Sequence, residues 1–158
     1  MKIILATDGS NYSCRCAELL KRIPFPPATE VTVLTVIEQV MPEGEWCVAQ
    51  EKDESFSEVD RSMRQEAEYL FTQEKERLRS TGWTMCHMIR HGHAANQIIE
   101  AALELGTDLA VVGSRGVSDV KRFLMGSVSQ KVVKYAPCSV LVVRPKGENG
   151  AAPPCQYR

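Results

Sequence analysis

The chain has 158 residues, which is the size of one globular domain. Hydrophobic residues make up 44% and charged residues 25% of the chain, values typical of soluble globular proteins, so a collagen-like, fibrous or disordered chain is not expected. The formal net charge of -1 lacks the excess of positive charge that characterises nucleic-acid-binding proteins, so we expect no nucleic-acid partner.

Signals for export and membrane insertion are also missing. The first apolar run is too short for a secretory signal peptide, because Asp8 interrupts it. No stretch approaches the roughly 20 apolar residues of a membrane span. We therefore expect a cytoplasmic protein without a membrane partner, in which the six cysteines are free thiols. No two cysteines have the C-x-x-C spacing of a zinc site.

Short apolar runs alternate with longer segments of helical periodicity. In chain order, the pattern predicts strands over residues 2–7, 31–37, 83–90, 109–113 and 139–143. It predicts helices over residues 11–22, from after Ser57 to Gly82, 94–105 and 127–135, the last with Val128, Val132 and Val133 facing inward. The third strand alternates more than the others, so we expect it nearer a sheet edge.

The alternation of strands and helices predicts an α/β fold. Each connection is long enough for a helical crossover, which favours a doubly wound parallel sheet with helices on both faces. Residues 1–146 form the predicted domain. Two polar segments fall outside the alternation: residues 38–56, predicted as a long mobile loop at the carboxyl edge of the sheet, and residues 147–158, predicted as a disordered tail.

The near-neutral charge is unevenly distributed along the chain. Residues 41–80 contain eleven acidic and six basic side chains, whereas residues 113–146 contain seven basic side chains and one acidic. The basic segment could be a solvated positive face, or it could serve the glycine motif that lies within it. That motif is Gly113-Ser114-Arg115-Gly116, followed after nine residues by Gly126-Ser127 at the start of the last helix.

Glycines allow backbone N–H groups to approach a ligand, and a helix N-terminus attracts anions. The motif follows the fourth strand, where doubly wound sheets bind ligands. With Arg115, Lys121 and Arg122 nearby, it is a plausible cradle for a polyphosphate. Alternatively, Gly113 could end the strand and Gly116 could serve a turn.

The spacing of these glycines resembles the nucleotide-binding signature of the universal stress protein family. Further similarity lies in the opening segment from Ile3 to Ser10, in the third helix, and in the closing segment from Ala136 to Val143. The resemblance covers residues 1 to about 146. It implies a Rossmann-like fold of the adenine nucleotide alpha hydrolase type, with a five-stranded parallel sheet of order 3-2-1-4-5 that binds ATP, ADP or AMP.

The same resemblance implies a set of nucleotide-binding residues at the carboxyl edge of the sheet. Asp8 would lie near the ribose or near a Mg²⁺ ion bound to the phosphates, and Val36 near the adenine. The implied set is Ala6, Thr7, Asp8, Val36, Gly113, Arg115, Gly116, Gly126, Ser127, Val128 and Ser129. Two alternatives stay open, because Asp8 and Ser127 could simply cap helices.

We expect a nucleotide-binding regulatory protein of the stress response rather than an enzyme. No residue is clearly placed as a general base, although a slow ATP hydrolase or phosphotransferase is an alternative. An interaction protein of the same fold without a nucleotide is another. The last predicted strand would lie at a sheet edge, which predicts a homodimer paired antiparallel through Val140, Leu141, Val142 and Val143.

Overall fold

The computed structural model describes residues 1–38, 54–116 and 125–144. Within these residues, strands and helices alternate, and a short 3-10 turn, Arg79–Thr81, follows the second helix. The elements are β1 (Lys2–Ala6), α1 (Asn11–Leu20), β2 (Glu30–Ile37), α2 (Glu54–Leu78), β3 (Thr84–His91), α3 (Ala94–Leu105), β4 (Leu109–Gly113), α4 (Ser127–Tyr135) and β5 (Ser139–Val143).

All strand pairs are parallel, and the sheet has the order β3-β2-β1-β4-β5. The predicted doubly wound fold, its strand order and the edge position of β3 are confirmed. Ile3 of the central strand pairs with Val31 of β2 on one side and with Leu109 of β4 on the other. The chain first builds outward from β1 to β3 and then returns to β4, so strand order reverses between β1 and β4.

Successive side chains of a strand point to opposite faces of the sheet, so these largely apolar strands have two faces to bury. Helices cover both of them. Ile3 and Leu5 contribute to one core, whereas Ile4 contributes to the other. We call the first the α1/α2 core; its buried members are Ile3, Leu5, Cys16, Ala17, Leu20, Val31, Val33, Leu78, Val111 and Val143. The second is the α3/α4 core, with Ile4, Leu34, Ala95, Ile98, Ala101, Ala102, Val112 and Val132.

Two predictions need correction. Helix α2 begins at Glu54 instead of after Ser57, so residues 54–56 of the predicted loop 38–56 are helical. No proline or glycine between Glu54 and Ser57 stops the helix from extending backward.

The second correction concerns Val133, which was predicted to face inward. It is 51% exposed, because it lies one residue, about 100° around the helix, from the buried Val132. Residues 39–53 of the predicted loop and the whole predicted tail 147–158 lie outside the described residues.

The described helices are short or polar by the standards of membrane proteins. None of them combines the length and the hydropathy that a membrane-spanning helix needs.

Candidate functional site

A cleft opens at the carboxyl edge of the sheet, where strand order reverses between β1 and β4. This is the position at which doubly wound sheets bind their ligands. All the residues predicted for nucleotide binding line it: Ala6, Thr7, Asp8, Val36, Gly113, Arg115, Gly116, Gly126, Ser127, Val128 and Ser129. The structure thus brings together residues from β1, β2, β4 and α4 that are far apart in the sequence.

Five lining residues were not predicted: Ser13, Leu34, Ala94, Ile98 and Val112. Periodicity could have indicated most of them. Leu34 precedes the predicted Val36 by two residues on the same strand, so both point to the same face of the sheet. Ala94 and Ile98 are one helical turn apart at the start of α3. Leu34, Ile98 and Val112 belong to the α3/α4 core, which continues into the cleft as an apolar floor.

The turn between β1 and α1 forms one wall of the cleft. Ser10 is the N-cap of α1, and its hydroxyl accepts a hydrogen bond from the Ser13 N–H at 3.2 Å. Asp8 is therefore not the helix cap; its Oδ1 accepts from the Ser10 N–H at 3.0 Å, and its side chain is exposed. Gly9 has a φ of +73°, a conformation that L side chains rarely adopt.

Thr7 is buried beneath this turn, with 5% of its surface exposed. Its hydroxyl donates to the Ser13 Oγ at 3.2 Å, and the Ser13 hydroxyl donates to the Ser10 carbonyl at 2.9 Å. These two hydroxyls link the end of β1 to the first turn of α1. Their hydrogen bonds give Thr7 and Ser13 a structural role in shaping the cleft wall.

The opposite wall consists of the residues after β4 and the first turn of α4. The Gly126 N–H donates to the Ser114 carbonyl at 2.8 Å, and the Ser129 hydroxyl lies within hydrogen-bonding distance of the Ser114 and Gly126 carbonyls, at 3.2 and 2.9 Å. Gly126, not Ser127, is the N-cap residue of α4. The alternative interpretation of Ser127 as a helix cap is therefore wrong.

Helix α4 directs backbone donors at the cleft. Its first intrahelical hydrogen bond runs from the Gln130 N–H to the Gly126 carbonyl. The N–H groups of Ser127, Val128 and Ser129 precede that bond and have no acceptor within the helix. All three residues line the cleft. A helix N-terminus with such donors and a partial positive charge suits an anion such as phosphate.

Two glycines of the motif let these walls approach each other closely. A Cβ atom on Gly113 would lie 2.8 Å from the Cβ of Tyr12, and one on Gly116 would lie 2.7 Å from Oδ2 of Asp8. Neither glycine is among those with positive φ. Close packing against Tyr12, rather than an unusual backbone conformation, is therefore the physical reason for glycine at position 113. At position 116 the neighbour is the end of the Asp8 side chain, which can move.

The charged groups stand at the mouth of the cleft. Arg115 is the one cationic side chain among the described lining residues, and Asp8 is the one carboxylate. The Arg115 Nη1 donates to the Tyr12 hydroxyl at 3.2 Å, and its guanidinium lies 5.8 Å from the centre of the Tyr12 ring. The cleft thus has an apolar floor and a polar rim that contains one charge of each sign.

Residues 1–38, 54–116 and 125–144 contain no cluster of three or more His, Cys, Asp or Glu side chains that could bind a metal ion. These residues therefore give no support for a metal site built from protein side chains alone. Asp8 could supply a single oxygen ligand to Mg²⁺, an ion that commonly binds one or two carboxylates together with substrate phosphates. The residues present fit that shared arrangement. Lys121 and Arg122 lie outside the described residues.

The doubly wound sheet, with a cleft at its switch point, defines a Rossmann-like α/β protein. The model of the universal stress protein family matches residues 1–144, and the chain belongs to this family. The universal stress protein MJ0531 of Methanocaldococcus jannaschii is 32% identical over 154 residues, covering 93% of this chain and 84% of the relative. The universal stress protein YxiE of Bacillus subtilis is 28% identical over 145 residues, covering 90% and 98%.

Solved structures share the fold. The hypothetical protein MJ0577 is similar with a TM-score of 0.77 and 28% identity, covering 93% of this chain and 97% of that one. A universal stress protein in complex with cAMP has a TM-score of 0.63 and 24% identity, covering 91% and 97%. A universal stress protein family protein from Arabidopsis thaliana with AMP bound has a TM-score of 0.64 and 19% identity, covering 90% of both chains.

Proposed function

We propose that this protein binds an adenine nucleotide in the cleft between β1 and β4. The observation that carries the proposal is the combination, in one cleft, of an apolar floor with the N-terminus of α4, whose backbone N–H groups suit a phosphate. Two structural neighbours hold cAMP or AMP, which supports adenosine as the common part of the ligand. In this proposal the base packs against Leu34, Val36 and Ile98, and the phosphates meet the N–H groups of Ser127–Ser129.

We propose ATP as the form that best uses the charged rim. Arg115 can bind phosphate oxygens through two parallel hydrogen bonds, which favours a ligand with several phosphates. The Asp8 carboxylate would repel such a ligand unless a cation lay between them. Because both Asp8 and Arg115 line this cleft, the proposed ligand is ATP together with Mg²⁺.

The proposed role is regulatory binding rather than catalysis. Asp8 is the one carboxylate among the described lining residues, and its Oδ1 already accepts from the Ser10 N–H. No histidine is among those lining residues, so they include no evident general base. A ligand that binds one conformation more tightly than another shifts the population toward it, and a partner can recognise that conformation. Slow hydrolysis and a cytoplasmic location remain predictions from the sequence.

Calorimetry with a matched pair of variants tests nucleotide binding. Ser127→Glu places a negative charge on an exposed lining residue in the first turn of α4, whereas Val133→Glu places it on an exposed residue of the same helix that does not line the cleft. We expect wild type to bind ATP with Mg²⁺, Ser127→Glu to bind at least about tenfold more weakly, and Val133→Glu to stay within about twofold.

Two results would contradict the proposal. One is that millimolar ATP with Mg²⁺ produces neither heat nor a shift in the melting temperature of wild type. The other is that the two variants lose affinity equally, because the charge then acts through general electrostatics and not through the cleft. Mass spectrometry of any nucleotide released on denaturation would identify the bound form independently.

We also propose a homodimer that pairs through β5. This strand is an edge of the sheet, and Val140, Leu141 and Val142 are only partly buried. An apolar edge strand can pair with another chain, and antiparallel pairing about a twofold axis would join two sheets. Analytical ultracentrifugation at tens of micromolar should give twice the chain mass; a monomer at that concentration would contradict the dimer.

A further inference from the structure

Tyr12 lies in the first turn of α1, outside the residues that line the cleft, yet it contacts two residues that do, Gly113 and Arg115. Its Cβ occupies the space that a Cβ on Gly113 would need, at 2.8 Å. Its hydroxyl accepts a hydrogen bond from Arg115 Nη1 at 3.2 Å, and its ring lies 5.8 Å from the guanidinium carbon.

These contacts restrict Arg115 before any ligand arrives. An arginine side chain has many rotamers, and fixing it on a ligand costs conformational entropy. A ring face attracts the guanidinium, and the hydroxyl fixes one of its nitrogen atoms. Tyr12 itself is held in place, because its helix begins at the Ser10 cap and its Cβ and backbone carbon pack so closely over Gly113 that a Cβ atom would not fit there.

The three N–H groups at the start of α4 already offer donors for one phosphate. A guanidinium on the same rim adds an electrostatic attraction to phosphate. This attraction is absent for an uncharged nucleoside and strongest for a polyphosphate. Any group that fixes this guanidinium therefore acts on the preference between ligands with different numbers of phosphates, and hardly on the binding of adenosine.

We propose that Tyr12 is a positioning residue that presents Arg115 to the phosphates and so makes the cleft selective for nucleoside di- and triphosphates over the nucleoside. This inference rests on the proposed nucleotide binding. Tyr12 acts through Arg115 and does not itself contact the ligand.

The test compares ATP with Mg²⁺, AMP and adenosine by calorimetry on wild type, Tyr12→Phe, Arg115→Ala and the double variant. Tyr12→Phe removes the hydroxyl but keeps the ring and the packing on Gly113. Tyr135→Phe is the matched control, because Tyr135 lies at the end of α4, is 55% exposed, and also has a cation, Lys134 Nζ, at 5.0 Å from its ring centre.

We expect Tyr12→Phe to weaken ATP about threefold or more and Arg115→Ala about tenfold, with AMP affected less and adenosine unchanged. In the Arg115→Ala background, Tyr12→Phe should have no further effect on ATP, which a merely structural role would not produce. Tyr12→Leu removes the ring as well and should come close to the loss of Arg115→Ala. The Tyr135→Phe control should bind all three ligands like wild type.

The inference is overturned if wild type binds ATP and Tyr12→Phe binds it equally well. It is also overturned if Tyr12→Phe weakens ATP and adenosine by the same factor, or weakens ATP as much in the Arg115→Ala background as in wild type. If wild type binds none of the three ligands, the proposed function itself fails, and the inference fails with it.

Discussion

The two hydrophobic cores of this protein end differently at the carboxyl edge of the sheet. Leu34, Ile98 and Val112 of the α3/α4 core line the cleft, whereas no buried member of the α1/α2 core does. On the α1/α2 side, the first turn of α1 packs directly over the end of β4, because Gly113 leaves room for Tyr12. The α1/α2 core is covered by the first turn of α1, whereas the α3/α4 core opens into the cleft.

The polar groups differ between the two faces as well. Of the charged residues that line the cleft, Asp8 is exposed and Arg115 is partly buried. On the α1/α2 side, by contrast, the carboxylate of Glu74 on α2 is buried, with 1% of the residue exposed. Burial raises the pKa of Glu74 to about 7, although Arg77, whose Nε lies 3.8 Å from Oε2, opposes the rise, and the Glu18 carboxylate adds to it. The α1/α2 side therefore contains a buried carboxyl group with a raised pKa, and the α3/α4 side contains the residues of the proposed nucleotide site.

Truncating one leucine in each core should give the largest effects. Leu20→Ala, in the α1/α2 core, should lower the free energy of unfolding by about 4 kcal/mol, because the cavity stays sealed. Leu34→Ala should cost about 2–3 kcal/mol, because its cavity joins the cleft and water can enter it.

Urea unfolding with and without ATP and Mg²⁺ measures both leucine variants. We expect the nucleotide to stabilise Leu20→Ala as much as wild type, and Leu34→Ala less. Equal losses of stability together with equal responses to nucleotide would show that the two cores do not differ in the way described.

Replacing Glu74 should change how stability depends on pH. The folded chain holds this proton up to a pKa of about 7, whereas the unfolded chain releases it near 4.5. The folded state binds more protons between these values, so stability falls as pH rises from about 4.5 to about 7 and then levels off. The contribution is on the order of 2–3 kcal/mol.

Glu74→Gln should remove this fall. The free energy of unfolding of the variant should therefore decrease less than that of wild type between pH 5 and pH 8. Urea unfolding at several pH values measures the difference. Glu76→Gln is the control, because its side chain is 72% exposed on the same helix, and it should follow the wild-type profile. A Glu74→Gln profile that falls as steeply as wild type would assign the pH dependence to other groups.

The sequence predicts the fold well because parallel strands covered on both sides have a simple signature. Val31–Ile37 and Leu109–Val112 are apolar on both faces, and only crossover helices fit between such strands. Their order in space came from the family resemblance and not from periodicity. The set of cleft residues came from the same resemblance. The strand pattern by itself indicated only that the segments after the first and fourth strands meet at one edge of the sheet.

What the sequence did not reveal are contacts between distant segments. Tyr12 and Gly113 meet only through the fold, so nothing local to Tyr12 indicates its neighbour. Glu74 is a different case, because Ala67, Leu70, Glu74 and Leu78 follow the spacing of one buried helical stripe. The spacing thus indicated that position 74 faces the core. Acidic residues are rarely buried, however, so the residue type argued against burial at this position.

The two motif glycines should tolerate a methyl group differently. Gly113→Ala places its Cβ 2.8 Å from the Tyr12 Cβ and 3.2 Å from the Tyr12 backbone carbon, so a helix must shift, at a cost of about 1–3 kcal/mol. Among the described residues, the added Cβ of Gly116→Ala meets only the Asp8 carboxylate, which can rotate, so stability should change by about 0.5 kcal/mol or less. Urea unfolding tests both; a larger loss for Gly116→Ala would reverse the assignment.

Asp8→Asn should change stability least and ligand binding most selectively. Its Oδ1 can still accept from the Ser10 N–H, so the free energy of unfolding should stay within about 0.5 kcal/mol of wild type. The lost charge should weaken ATP binding in Mg²⁺ and strengthen it in EDTA, by about threefold each way, because the carboxylate attracts the cation and repels bare phosphate.

Calorimetry in the two buffers, with Asp108→Asn as control, measures this change at Asp8. Asp108 accepts from the Lys2 N–H at 2.7 Å at the opposite, amino edge of the sheet, so the same loss of charge there should leave ATP binding unchanged. Identical Mg²⁺ dependence in wild type and Asp8→Asn would place the cation away from Asp8. The α3/α4 side of the molecule would then recognise its ligand through the α4 N-terminus and Arg115 alone.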